Sequence, residues 1–216
     1  MNRTDLNINI GCGPTGQIEG FNNLDNSPSA LIGKYPLLKK FLFTFGVITE
    51  AQYRADWSKV IWCDASKRLP YESSTVHRIY SSHFLEHIPL EKAKKVLMEC
   101  FRVLRPDGVL RLVIPDLLWH AERYVSKTKY LLAHSELPGE TEAHDVFLNT
   151  VYGAYLQKKR SGAEHCYMYD LPSIVSLMKK AGFNKISSCE YKQGIDMILA
   201  SYDSRPDESL FLEAKK

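Results

Sequence analysis

The side chains best able to do chemistry fall at a few spaced positions. Asp25 and Asp64 are carboxylates that each end a short strand-like run, His83 and His87 flank Glu86, and His165 lies two residues before Tyr167. A carboxylate at the end of a strand can accept both hydroxyls of a ribose. An imidazole is the natural base for a hydroxyl or amine near neutral pH. His83-x-x-x-His87 could also put two imidazoles on one helical face for zinc. The cysteines and carboxylates supply no matching third and fourth ligands, so no metal is expected. His83 keeps two readings, a brace at a strand-to-helix turn or a base lining a reaction pocket. Glu86 could orient either ring or help cap the helix.

Asp25 depends on the stretch before it, Leu6-Asn7-Ile8-Asn9-Ile10-Gly11-Cys12-Gly13-Pro14-Thr15-Gly16. Alternating apolar residues that run into clustered glycines predict a strand entering a tight turn. Glycine permits positive φ and close approach of a ligand. A dinucleotide fold would need a helix after the third glycine and an acid about 20 residues on. Here Gln17-Ile18-Glu19-Gly20 is too short for that helix, and Phe21-Asn22-Asn23-Leu24-Asp25 already reads as the next strand. Without a helix N-terminus the turn is poorly equipped for a pyrophosphate. It suits a nucleoside ligand that lacks phosphates.

Five stretches in order carry a resemblance. They are Asn9-Ile10-Gly11-Cys12-Gly13, Leu24-Asp25, Cys63-Asp64-Ala65 with Arg68-Leu69-Pro70-Tyr71, Ser81-Ser82-His83-Phe84-Leu85-Glu86-His87-Ile88, and Arg102 through Leu110. Together they resemble the class I S-adenosylmethionine-dependent methyltransferases, most closely the small type 11 domains. The resemblance implies an α/β Rossmann-like fold with a mixed seven-stranded sheet, helices on both faces and an antiparallel last strand. It implies S-adenosyl-L-methionine as cofactor, held by Asn9, Gly11, Cys12, Gly13, Asp25 and Ser81. Asp64 would accept the adenine amine and the Ala65 amide would donate to the ring, although an aspartate there also suits a plain turn. His83 would be the catalytic candidate, with His87, His165 and Tyr167 as substrate contacts. Two departures stand out: the first helix is nearly absent, and Asn9 replaces the acid that many members carry.

The 216 residues predict one domain, with 44% hydrophobic and 25% charged residues and a net charge of +3. So small a charge argues against nucleic acid as a partner. Five scattered cysteines without a C-x-x-C pair predict reduced thiols in a cytoplasmic protein. The first strand begins within about six residues, which leaves no room for a signal peptide.

Residues 27–58 are an apolar insert between the second and third strands. Leu37, Leu38, Phe41, Leu42, Phe43, Phe45, Val47 and Ile48 predict a helix packed on the sheet, a substrate lid or a peripheral membrane contact through 36–48. Helical spacing of Ala93, Val96, Leu97, Cys100, Phe101 and Leu104 predicts a helix stopped by Pro106-Asp107-Gly108. Residues 117–170 form a substrate-side region, with helices expected over 118–132 and 147–158 and a loop over 133–141. Strands are expected over Lys185–Tyr191 and Ser209–Ala214. The expected function is methyl transfer to a small-molecule or glycan acceptor. The alternatives are a non-catalytic cofactor-binding or scaffold protein and a nicotinamide-dependent oxidoreductase.

Overall fold

Ile8, Ile10, Leu24, Ile79, Val113 and Leu212 are almost wholly shielded from solvent, and they come from five strands that lie side by side. The computed structural model describes residues 5–133 and 165–216. Its strands are β1 (Asn7–Ile10), β2 (Asn22–Asp25), β3 (Val60–Trp62), β4 (Val76–Ser82), β5 (Leu104–Pro115), β6 (Lys185–Cys189) and β7 (Ser209–Lys215). They form one seven-stranded sheet in the order β3-β2-β1-β4-β5-β7-β6. β1 pairs in parallel with β2 and β4, whereas β7 runs antiparallel between β5 and β6. The strand order reverses between β1 and β4, and ligands of open α/β sheets bind outside the carboxyl ends at such a reversal.

The helices are α1 (Pro28–Ile32), α2 (Pro36–Thr44), α3 (Glu50–Arg54), α4 (Leu90–Val103), α5 (Leu117–Ala133), α6 (Leu171–Lys180) and α7 (Met197–Ala200). α4 buries Ala93, Val96, Leu97, Cys100 and Val103, the face its spacing predicts. It ends at Val103, before the expected stop, and Leu104 is already extended at ψ 134°. Pro106 disfavours helical backbone at Arg105, so the chain leaves the helix early. The chain then enters β5 with a register shift against β4 between Val76 and Arg78. α6 opens with a capping box, Asp170 and Ser173 bonding each other's backbone N–H at 2.9 and 3.1 Å.

No full helix follows β1. The backbone of residues 16–21 is instead held by two buried asparagines. Asn9 donates through Nδ2 to Gly16 O and to Asn23 Oδ1, both at 2.8 Å. Asn23 Oδ1 also accepts the Ile18 N–H, and its Nδ2 donates to Ile18 O and Phe21 O. Buried backbone groups need partners, and here amide side chains supply them where a helix would have.

The α2 stretch of the insert does not pack as core, although Ala30 and Trp57 near the insert's ends are buried. α2 buries none of its residues, and Leu37, Phe41, Phe45 and Val47 stand exposed. Its other side is tied to α3, where Phe43 stacks on Tyr53 at 4.4 Å and Lys39 Nζ donates to Ala55 O at 2.7 Å. The expectation of a helix against the sheet gives way to a helix against α1 and α3. The rest of the expected 133–141 loop and the expected 147–158 helix lie outside the described residues; Ala133 itself ends α5.

In the interior of the sheet, between β4 and β7, Arg111 of β5 is fully buried. It donates to Asp203 Oδ1 at 2.9 Å, Asp203 Oδ2 at 2.5 Å, Glu213 Oε1 at 3.0 Å and Gln193 O at 2.9 Å. This knot pins the 190–203 segment to the sheet and so sets where Tyr202, Ser204 and Arg205 emerge.

Candidate active site

The turn after β1 is shaped by close approach. Gly11 has φ +72°, and a Cβ there would stand 2.3 Å from Phe84 Cγ. Gly13 has φ +56°, and a Cβ would meet nothing within 4 Å, so its face is open to a ligand. Gly11 and Cys12 N–H groups donate to Leu24 O at 2.8 and 3.3 Å, which locks the turn to β2.

Two cavities meet at Gly13. The larger, about 510 Å³, runs from Asn9, Gly11 and Cys12 past Tyr80, Ser82 and His83 to Tyr202 and Arg205. The smaller, about 320 Å³, holds Asp25 and Ser27, walled by Ala51, Gln52, Ala55 and Trp57 from the insert. Asp25 accepts the Gly13 N–H on Oδ2 at 2.9 Å and the Ser27 N–H on Oδ1 at 2.7 Å. Both oxygens keep a lone pair for a further donor. The Trp57 indole N–H, in the same wall, is buried without a hydrogen-bond partner.

His83 follows β4 at φ +49°, a conformation uncommon for a residue with a side chain. Its backbone N–H donates to Val113 O at 2.9 Å, which fixes it beside β5. Nε2 lies 3.1 Å from Ser209 Oγ, while Nδ1 lies 3.3 Å from Glu86 Oε1 and 3.4 Å from Arg205 Nη1. Glu86 is wholly buried behind it. Cys12, in the cavity wall, has its thiol pKa pushed up to about 12 by burial and by the Asp25 charge, so it stays protonated.

The family described as a methyltransferase domain matches residues 43–112, from the end of α2 to the middle of β5. Residues 43–112 thus match a methyltransferase domain, and the surrounding fold is that of class I S-adenosylmethionine-dependent methyltransferases. Among solved structures the chain is similar to a SAM-dependent methyltransferase from Methanosarcina mazei, with 15% identity, 100% of this chain and 94% of that one covered, and TM-score 0.51. A SAM-dependent methyltransferase from Archaeoglobus fulgidus matches with 14% identity over 99% of this chain and 87% of that one, TM-score 0.51. Phosphoethanolamine N-methyltransferase 2 from Haemonchus contortus, solved in complex with S-adenosyl-L-methionine, matches at 15% identity and TM-score 0.50. This chain is covered over 100% in that match and spans 49% of the longer chain. No curated protein sequence matches this chain.

S-adenosyl-L-methionine is the cofactor that the matched methyltransferase domain implies. The residues present suit it: an open glycine turn between two cavities, a carboxylate in one of them and no long helix aimed at a phosphate. Of the expected cofactor residues, Asn9, Gly11, Cys12 and Gly13 line the larger cavity and Asp25 the smaller. Asn9 spends its amide N–H groups on Gly16 O in the turn and on the Asn23 side chain. Ser81 is buried and donates to Ile10 O at 3.1 Å, while its neighbour Ser82 reaches the cavity. Asp64 and Ala65 lie outside both linings. Asp64 Oδ1 accepts from the Ser66 N–H at 3.0 Å and hydroxyl at 2.6 Å, the turn role open to it from the start. His87, His165 and Tyr167 also stand outside these linings, with His87 and His165 edge to face at 5.0 Å.

Nothing in sequence spacing marks Tyr80, Tyr202, Ser204 and Arg205 as lining residues. They arrive through the sheet order, which sets β7 and its preceding segment beside β4 and β5. Gln52 and Ala51 were hidden in the insert, whose capping box at Thr49 and Gln52 was the available local signal.

Proposed function

We propose that this methyltransferase acts on a small-molecule or glycan acceptor bound in the larger cavity over His83. The observation that carries this reading is the position of His83, in a wall continuous with the glycine turn and backed by a buried carboxylate. When bound, S-adenosyl-L-methionine supplies a methyl on a sulfonium, displaced by an acceptor lone pair with the C–S electron pair left on sulfur. Gly11 and Gly13 would let it lie close to the backbone, and Asp25 would take the ribose hydroxyls. His83 would receive the acceptor's proton, with Glu86 stabilising the imidazolium that forms. Arg205 brings a positive charge to the same rim, suited to an acceptor rich in oxygen. Holding the acceptor at attack distance supplies most of the rate in such chemistry.

The exposed face of α2 gives a second element. Leu37, Phe41, Phe45 and Val47, with Lys40 beside them, form an apolar and basic surface that suits peripheral membrane contact. Among the described residues no helix is long and apolar enough to cross a membrane. All five cysteines are free, as in the reducing cytoplasm where we place the protein. We take the whole chain as one domain, with the insert part of its cofactor wall.

Incubation with methyl-labelled cofactor and fractionated metabolites tests the acceptor class. Label in a small-molecule or glycan fraction supports it. Label only in protein or nucleic acid overturns it.

A further inference from the structure

Glu86 occupies the 3-10 turn after β4, and neither of its buried carboxylate oxygens has a hydrogen-bond partner among the described residues. A buried carboxylate is costly unless it is protonated, paired or bound to a metal. Imidazoles surround it. His83 Nδ1 lies 3.3 Å and His87 Nε2 3.8 Å from Oε1. One ligand atom from each of Glu86, His87 and His165 lies within 4.8 Å of the others.

The third member arrives by backbone pairing and not by sequence spacing. Glu86 O accepts the N–H groups of Cys166 at 2.6 Å and Tyr167 at 3.2 Å, which anchors His165 beside the turn. Cys166 Sγ also reaches His87 O at 3.3 Å. Expecting no metal rested on the cysteines and carboxylates offering no matching third and fourth ligands, and the fold brings one further ligand, His165, from 78 residues beyond His87.

We propose that Glu86, His87 and His165 form a binding site for a divalent transition metal, with zinc the best match. Two imidazoles and one carboxylate are a zinc donor set that keeps an open fourth position. Calcium and magnesium favour sites built wholly from oxygen, which this is not. Bonds of about 2.0–2.2 Å set tetrahedral donors about 3.4 Å apart, so binding draws the three side chains together. His87 and His165 are half-buried and open the site to solvent, while Glu86 closes its floor. Since His83 touches both Glu86 and the larger cavity, the ion would lie one side chain away from that cavity. The proposal stands on this side-chain geometry, and it gives Glu86 a second role beside the one it has toward His83.

Zinc titrated calorimetrically into the chelator-stripped full chain tests it, with cobalt absorption as a second readout. One zinc per chain is expected, with a tetrahedral-type cobalt spectrum. Glu86→Gln and His165→Ala should each weaken zinc by more than about tenfold while S-adenosyl-L-methionine affinity persists. If Glu86→Gln fails to fold, His165→Ala decides alone, because His165 sits at the rim. Zinc binding that is absent from the native chain, or equal in the native chain and His165→Ala, overturns the site.

Discussion

Asp25 Oδ2 accepts the Gly13 N–H at 2.9 Å, so the end of β2 and the turn after β1 form one rigid corner between the two cavities. The same carboxylate is the group placed to take ribose hydroxyls, each such charge-assisted bond contributing about 1.5–3 kcal/mol. Asp25→Ala should weaken cofactor binding by about 10- to 100-fold, with a smaller effect on folding. Calorimetric titration of the variant checks this, and an unchanged dissociation constant would remove Asp25 from the site.

Asn9→Asp introduces the acid that the resemblance leads one to expect at this position, yet here it should destabilise. Asn9 Nδ2 donates to two oxygens, Gly16 O and Asn23 Oδ1, and a carboxylate would oppose both. Leaving such buried groups unpaired costs about 1–3 kcal/mol, and a buried charge costs more. Denaturant unfolding should show a loss of at least that size.

Arg111→Met should cost about 3–5 kcal/mol, because it leaves the Asp203 and Glu213 carboxylates buried without their cation. Thermal melting measures it. Activity should fall as well, since the knot positions Tyr202 and Arg205.

Phe41 is 56% exposed, so Phe41→Ser should barely move the melting temperature. If α2 meets membranes, the variant should sediment less with anionic vesicles. A large melting loss would show that the face is buried in solution.

Thiol chemistry offers a pH test. Burial first and the Glu99 charge second push Cys100 up to about 12, as burial and Asp25 do for Cys12. The raised values keep both as thiols until strongly alkaline pH, and the thiolate is the reactive form. Iodoacetamide at mildly alkaline pH should label the exposed Cys166 first and spare Cys12 and Cys100 until unfolding. Mass spectrometry reads the order.

His83→Asn should slow turnover by about 10²–10⁴-fold and leave cofactor affinity nearly intact, once an acceptor is in hand. A mild effect would leave His83 as a brace at its strained turn.

Much of the sheet was legible, because alternating strands such as Leu6–Ile10 and Ser209–Ala214 signal locally and the glycine turn fixes the ligand end. The 16–21 segment was legible as too short for a helix, but its asparagine clamp was not, since Asn9 and Asn23 are fourteen residues apart and meet only in the paired strands. The insert misled because apolar density reads as burial, whereas its side chains divide between α3 and solvent. Ser81 and Asp64 show the limit at the site itself. Their positions in a motif do not say which way a side chain turns, and both turn to nearby protein groups. Arg111, Asp203 and Glu213 carry no sequence mark because their charges meet only after β7 inserts beside β5.

A nucleoside sulfonium, and not a dinucleotide, is predicted to lie across the Gly11–Gly13 turn. Calorimetry of the purified chain with S-adenosyl-L-methionine and, separately, with NAD tests it most directly. One S-adenosyl-L-methionine per chain with no heat from NAD is the predicted result. Binding of NAD in its place, or of neither, would contradict the account.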